Sequence, residues 1–388
     1  MTHRFDAIIV GGGPAGSAAA HVVAASGMNV AVVDRATFPR DKLCGGLLSE
    51  RSEAVFKSIF GQAWGPTIET IASGVVFYHK DRYLNRLEWH RRVYFTSRSQ
   101  YDTYLLELAA KRGARILQGT AVSSIDPQSR TVSLADGRQL HADFVIGADG
   151  VNSRIAKQTV RSKPGRNASA FGLEVDLPGD LLRRSVSAPE IYFGVVRWGY
   201  GWIFPKRDSI TLGIAGLLPD NRDLRPDFEK FLRQVCGYLP EVRCKGHPIP
   251  FGNYLRTPGR AAVLLAGDAA GLVEPVTGEG IAFAMLSGKY AAEAILQAAS
   301  SGDPDSALDF YLLEYQRIVA LLRQAKWMRY LLFPALSEKL FVRVLSRSQT
   351  VIKKYMDLLA GDIDYTDYFS FVVRKFLENP FALVRLAG

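Results

Sequence analysis

The stretch from Phe5 to Asp34, FDAIIVGGGPAGSAAAHVVAASGMNVAVVD, constrains this chain more than any other feature. Its apolar run over 5–10 reads as a short buried strand. A glycine-rich turn follows, then an Ala-rich helix predicted from Ser17 to about Ala25 and closed by Gly27. Residues 29–34 read as a second strand, which makes a βαβ unit of about 30 residues. Gly11, Gly13 and Gly16 stand between strand and helix in the G-x-G-x-x-G spacing, with Ala15 among them. The first glycine permits the tight turn, and the second lets backbone approach a pyrophosphate. The third lets helix and strand pack closely, and the helix N-terminus faces the phosphates. Alone, this pattern also fits a structural turn. Asp34, 18 residues past Gly16 and followed by Arg35, adds an acid where an adenosine ribose would need one.

Beyond this unit the chain alternates between two kinds of pattern. A helix is expected around 49–59, β segments at 73–79 and 83–88, a helix over 99–112, and strands at 114–118, 121–126, 131–135 and 143–149. Four runs between 168 and 216 (AFGLEVDL, EIYFGVV, GWIFP and SITLGIA) have strand composition and are bounded by Gly, Pro or charged turn residues. They suggest an antiparallel sheet outside the parallel one. A helix over 226–236 precedes AAVLLAGDAAG (261–271) and a helix from about Gly280 to Ala299; from about Pro304 the rest reads as helical.

Two further motifs choose the cofactor. Asp143 is followed by Gly147-Ala148-Asp149-Gly150 and by Ser153-Arg154, after a short strand. Leu264-Leu265-Ala266-Gly267-Asp268-Ala269-Ala270 is followed by Pro275 and by Thr277-Gly278-Glu279-Gly280-Ile281. An Asp at a strand end before a helix start can bind a ribityl hydroxyl. Backbone N–H groups at Gly280 and Ile281 can face a flavin pyrimidine, where reduction leaves negative charge. A plain NAD dehydrogenase has no use for this second contact segment. The cofactor is therefore read as FAD. The fold class is α/β: a Rossmann-type FAD-binding domain (1–72, 97–165 and 247–303), an inserted antiparallel-sheet substrate domain (73–96 and 166–246), and a helical C-terminal region (304–388).

At this point the chain resembles the flavoproteins of the p-hydroxybenzoate hydroxylase fold over residues 1 to about 300, and within them the geranylgeranyl reductase family. The closer likeness rests on Pro39-Arg40-Asp41-Lys42-Leu43-Cys44-Gly45-Gly46 and on Tyr200-Gly201-Trp202-Ile203-Phe204-Pro205-Lys206 ahead of a strand containing Gly213. The resemblance implies that Cys44 and Gly45 lie near the isoalloxazine, that Arg98 reaches the FAD phosphates or ribityl, and that Val122 lies near the adenine. It implies that Tyr200, Trp202 and Phe204 help line a prenyl tunnel; their alternation puts them on one strand face, as ordinary core packing also would. It further implies hydride transfer from reduced flavin to a C=C bond of an isoprenoid substrate. Cys44 and Tyr200 are candidate catalytic residues, with Cys44 alternatively a small residue in a tight loop. The rival is a flavin monooxygenase or halogenase acting on an aromatic substrate. Halogenases carry Trp-x-Trp-x-Ile-Pro, and Tyr200 and Phe204 stand where the first Trp and the Ile would.

Composition bounds the rest. Three cysteines make no disulfide framework and suit a reducing cytoplasm, and six scattered histidines show no metal spacing, so no metal is expected. No apolar run approaches the length that spans a bilayer. The formal charge is +10, and from Arg317 to Met356 nine Lys/Arg stand against one acid, Glu338. From Phe341, the apolar residues Val344, Leu345, Val351, Ile352, Tyr355, Leu358 and Leu359 fall on one helical face, with Arg343, Arg347 and Lys354 opposite. A basic amphipathic helix suits an anionic membrane surface, here the inner face of the cytoplasmic membrane, while packing on the flavin domain explains the same stripe. No recognition motif accompanies the charge, so nucleic acid is not expected. NAD(P)H or a redox partner protein is the expected electron donor.

Overall fold

In the computed structural model the described residues are 3–160, 169–182, 184–332 and 342–378. The first sheet runs in the order Gly259–Arg260, Val263–Leu265, Gln139–Gly147, His3–Val10, Val30–Val33 and Arg115–Leu117, parallel throughout except at the short 259–260 edge. A hairpin, Val122–Asp126 and Thr131–Leu134, joins the outer part of Gln139–Gly147. Helices cover both faces, so the central strands are apolar runs and not alternating ones.

The first helix begins at Pro14, three residues before the expected Ser17, and ends at Ala25. The expectation began after the glycines because Gly is a poor helix former. Proline in the first turn, where its missing N–H costs nothing, starts the helix earlier. Gly16 therefore lies inside the helix. A Cβ there would sit 1.8 Å from the Gly11 carbonyl oxygen, and Gly11 itself has φ +105°. The turn closes only with glycine at both positions.

The second sheet has eight strands, in the order Lys245–Ile249, Ala170–Pro178, Ser209–Leu217, Gly199–Pro205, Glu190–Phe193, Ile68–His79, Arg82–Thr96 and Leu47–Ser49. Its pairs are antiparallel apart from Glu190–Phe193 beside Ile68–His79. The β segments expected at 73–79 and 83–88 are one long hairpin, extended to Ile68 and Thr96 and broken by bulges. Residues 89–96 escape a periodicity reading because His90, Arg91 and Arg92 look like a loop. Arg91 is held by Glu50, Asp357 and Asp362, which lie far away in sequence. Sheet membership also departs from the expected segments, with Ile68–His79 running across 72. Leu47–Ser49 pairs with this sheet from within 1–72, and Lys245–Ile249 straddles 246.

The C-terminal helices join the two sheets. Helix Ala307–Leu332 packs on the first, where Tyr311 donates its hydroxyl to the Leu265 carbonyl (2.9 Å) and Tyr315 to that of Leu255 (2.7 Å). Helix Gln349–Ala360 lies across the second sheet. The stripe expected from Phe341 is interrupted at Ser348, whose hydroxyl accepts the Val351 N–H and caps this helix. Leu345 and Ile352 are buried against Val93, Phe95, Trp202 and Phe204, and Val351 and Leu358 against Ala325, Tyr365 and Tyr368. The apolar stripe is a packing face and is not presented outward. Phe341 and Glu338 lie outside the described residues. Among the described residues, no helix is long and apolar enough to cross a membrane.

Candidate cofactor and substrate site

A cavity of about 700 Å³ lies between the two sheets. Every site residue expected from the sequence lines it apart from Gly16, which acts behind the wall by letting the helix close on the turn. The nucleotide end contains Gly11, Gly13, Ala15, Asp34, Arg35, Val122 and Asp149; the middle contains Cys44, Gly45, Arg98, Asp268, Gly280 and Ile281; the far wall contains Tyr200, Trp202 and Phe204.

At the nucleotide end, the two helices Pro14–Ala25 and Ile281–Ser301 begin at the cavity. Neither has a side-chain cap or an acid in its first turn. Their first N–H groups are therefore left for an external anion or polar edge. Asp34 braces the turn by accepting the N–H of Gly12 (2.7 Å) and of Ala36 (2.8 Å). Asp268 Oδ1 lies 3.8 Å from where a Cβ on Gly280 would stand, so a carboxylate flanks the second helix start. These features fit FAD: an uncapped helix for the pyrophosphate, acids at both ribose-like positions, and a second helix start for the ring. Asp149 has a more local task. Its carboxylate accepts the Ser153 hydroxyl and the N–H groups of Arg154 and Ile155, which caps the short helix Arg154–Thr159.

Arg98 is the first residue of its helix and is almost fully buried. It makes a two-pronged ion pair with Asp102, 2.7 Å at each contact, and Asp102 also accepts Arg40 at 2.8 Å. Asp102 is 0% exposed, and breaking such a pair from one side costs about 3–5 kcal/mol. One buried acid thus fixes two cations at the cavity edge and leaves net positive charge for phosphate. Lys42 and His247 meet on the same wall, with Lys42 Nζ donating to His247 Nε2. Burial, reinforced by nearby cations, lowers the Lys42 ammonium to about 8 and the His247 imidazole to about 4. Asp102, Lys42 and His247 carried no individual role in the sequence reading. The Arg98–Asp102 spacing of four on a helix was a readable signal; the Lys42–His247 pairing, 205 positions apart, was not.

The far wall is aromatic. Tyr200, Trp202 and Phe204 do share one face, with ring centroids 5.9 Å and 6.2 Å apart in succession. The Trp202 ring lies over Gly213, where a Cβ would come within 2.2 Å of it, and its Nε1 is 3.1 Å from where a Cβ on Gly45 would stand. Gly213 is therefore the space that Trp202 fills. The Tyr200 hydroxyl donates to the Thr277 carbonyl, and burial pushes its phenol well up, so its proton is engaged in holding the 274–279 turn. Glu274, also buried, accepts from Val276, Thr277 and Tyr365 to hold the same turn. The Cys44 sulfur accepts the Gly46 N–H at 3.4 Å, and the Cys44 N–H donates to Glu174 Oε1 at 3.1 Å.

Comparison with known proteins agrees with this geometry. An FAD binding domain family model matches residues 4–178. The chain is 32% identical over 311 residues to the geranylgeranyl diphosphate reductase of Rhodobacter capsulatus, covering 78% of this chain and 77% of that one. It is 30% identical over 325 residues to a menaquinone reductase of Mycobacterium tuberculosis, covering 74% and 76%. A solved geranylgeranyl bacteriochlorophyll reductase-like protein from Thermoplasma acidophilum superposes with a TM-score of 0.80 at 22% identity, covering 97% of this chain and 100% of that one. The two sheets, the cavity between them and this degree of identity lead to one placement: the chain belongs to the geranylgeranyl reductase family of FAD-binding oxidoreductases.

Proposed function

We propose that this chain is a reductase that saturates C=C bonds of an isoprenoid chain. The observation that supports it is the continuity of the cavity. The space bounded by the uncapped helix starts runs on to a wall of Phe77, Val93, Ile191, Trp202 and Phe204, roofed by Leu345, Met356 and Leu359. An apolar, partly enclosed wall suits a long hydrocarbon substrate. FAD, held by the turn at Gly11–Ala15, Asp34, Arg35, Arg98, Asp268 and the start of helix Ile281–Ser301, would supply hydride when reduced. The residues of this chain hold the alkene against the aromatic wall, exclude water with the C-terminal helix, and deliver a proton. NAD(P)H is the proposed reductant of the flavin.

The experiment is a series of prenyl substrates of increasing length, run with wild type and Trp202→Ala. Loss of the ring removes about 2–3 kcal/mol of apolar contact that only a long chain uses. The expected result is a kcat/KM that falls more for long substrates than for short ones, with FAD still bound. Equal loss at every length, with a lowered melting temperature, would make Trp202 a core residue and count against the tunnel.

A further inference from the structure

Glu174 is 4% exposed, lines the cavity, and was assigned no role by the sequence. It sits mid-strand in Ala170–Pro178, directly opposite Gly213, which in turn is directly opposite Trp202. Residues directly opposite in antiparallel strands point to one face, so Glu174 and Trp202 flank the gap left by Gly213. Glu174 Oε1 accepts the Cys44 N–H, but among the described residues Oε2 has no hydrogen-bond partner, and neither has Trp202 Nε1. A carboxyl oxygen and an indole N–H, both fully buried and unsatisfied on residues that line the cavity, are costly to keep unless the bound state uses them. Two other proton carriers on the wall already donate elsewhere, Tyr200 to the Thr277 carbonyl and Lys42 to His247, while the Cys44 sulfur accepts the Gly46 N–H.

We propose that Glu174 is the catalytic acid of this site, its Oε2 carrying the proton that completes reduction of the alkene. This deepens the reductase reading and rests on it. The Oε2–H bond breaks as a C–H bond forms at one alkene carbon, the π pair supplying the electrons. The other carbon would take the hydride, and with it the two electrons, that FAD would supply when bound and reduced. Glu174 remains as a carboxylate and regains a proton from solvent, which reaches its neighbourhood at the exposed Lys245–Asp41 pair. Burial, with Asp176 on the same strand, raises the Glu174 carboxyl to about 7; Lys206, Lys245 and the Cys44 N–H oppose the rise. Lys42 and His247 line the same wall. The acid form is therefore present at neutral pH.

The test uses FAD-loaded wild type, Glu174→Gln and Glu174→Asp, with geranylgeranyl diphosphate as the alkene. An infrared pH-difference spectrum of the oxidised proteins should show a protonated carboxyl titrating near pH 7 in wild type and absent from Glu174→Gln. In anaerobic single turnovers, flavin reoxidation should slow about 100-fold or more in Glu174→Gln, with FAD content and chemical reduction of the flavin unchanged. Glu174→Asp, which keeps a carboxyl, should retain part of the rate with a displaced pH profile. If Glu174→Gln fails to hold FAD, the wild-type carboxyl band and the Glu174→Asp profile still decide. Absence of that band, a Glu174→Gln rate within threefold of wild type, or an unmoved Glu174→Asp profile would overturn the assignment while leaving the reductase reading intact. A wild-type flavin that no prenyl alkene reoxidises would overturn both.

Discussion

The two ends of the cavity are built by different means. At the nucleotide end the contacts are backbone ones: a glycine turn, two uncapped helix starts, and carboxylates that brace main-chain N–H groups. At the substrate end they are side chains brought together from distant strands, such as Trp202 over Gly213 and Glu174 against Cys44. Backbone sites demand particular residues at fixed local spacing and tolerate almost no added atoms. Side-chain sites tolerate substitution, and pay for their chemistry in stability.

That contrast makes graded expectations. The sharpest concerns Gly16→Ala, whose new Cβ would meet the Gly11 carbonyl oxygen, a backbone atom that cannot move aside. A loss of at least about 4 kcal/mol is expected, with little folded FAD-bound protein recovered. Gly13→Ala is the control, since its Cβ would meet only the Arg40 side chain at 3.4 Å. Equal melting temperatures for the two would show that the close approach of Gly16 to Gly11 is not what the turn depends on.

Next is Asp102→Ala, which strands Arg98 and Arg40. Stability should fall by about 3–4 kcal/mol in the FAD-free protein. The fall should be smaller once FAD is bound, because phosphate can replace the lost carboxylate. A deficit unchanged by FAD would mean the cations do not face the cofactor.

Glu174 gives a pH-dependent expectation at the other end. Its carboxyl titrates at about 7 folded, against an ordinary value of 4.5. Folded protein holds this proton where unfolded chain has released it, so its contribution is complete below about pH 4.5 and lost as pH rises through 7. The stability of wild type relative to Glu174→Gln should drop by about 3 kcal/mol over that window. Parallel melting curves from pH 5 to 8 would show that the carboxyl is not held neutral.

The smallest effect belongs to the basic face. Changing Arg343, Arg347 and Lys354 to Gln should weaken binding to anionic liposomes by no more than about 1 kcal/mol per residue, because the apolar face behind them is buried. A complete loss of liposome binding would show that this face is the principal membrane contact.

The same contrast governs what could be read in advance. The βαβ unit, the Asp268 turn and the helix at Gly280–Ile281 announce themselves because their chemistry is local. The alternating Tyr200, Trp202 and Phe204 were legible as one face, since strand periodicity is local too. Glu174 was not, because nothing in EVDLP separates a buried acid on a cavity wall from a solvated one; its surroundings come from Cys44 and Gly213. Arg91 and the strand around it were hidden for the same reason, their charges balanced by residues on other elements. The stripe at 344–359 was legible as amphipathic, but which partner covered it was not a property of the stripe.

The central claim is that one cavity brings a reducible flavin and an isoprenoid double bond together. The direct measurement is a single turnover: reduce the purified FAD protein without oxygen, add geranylgeranyl diphosphate, and follow flavin absorbance and product mass together. The account predicts stoichiometric reoxidation with two hydrogens gained per flavin oxidised. Flavin that stays reduced with every prenyl alkene, yet reoxidises with oxygen while an aromatic substrate gains an oxygen or a halogen, would contradict it.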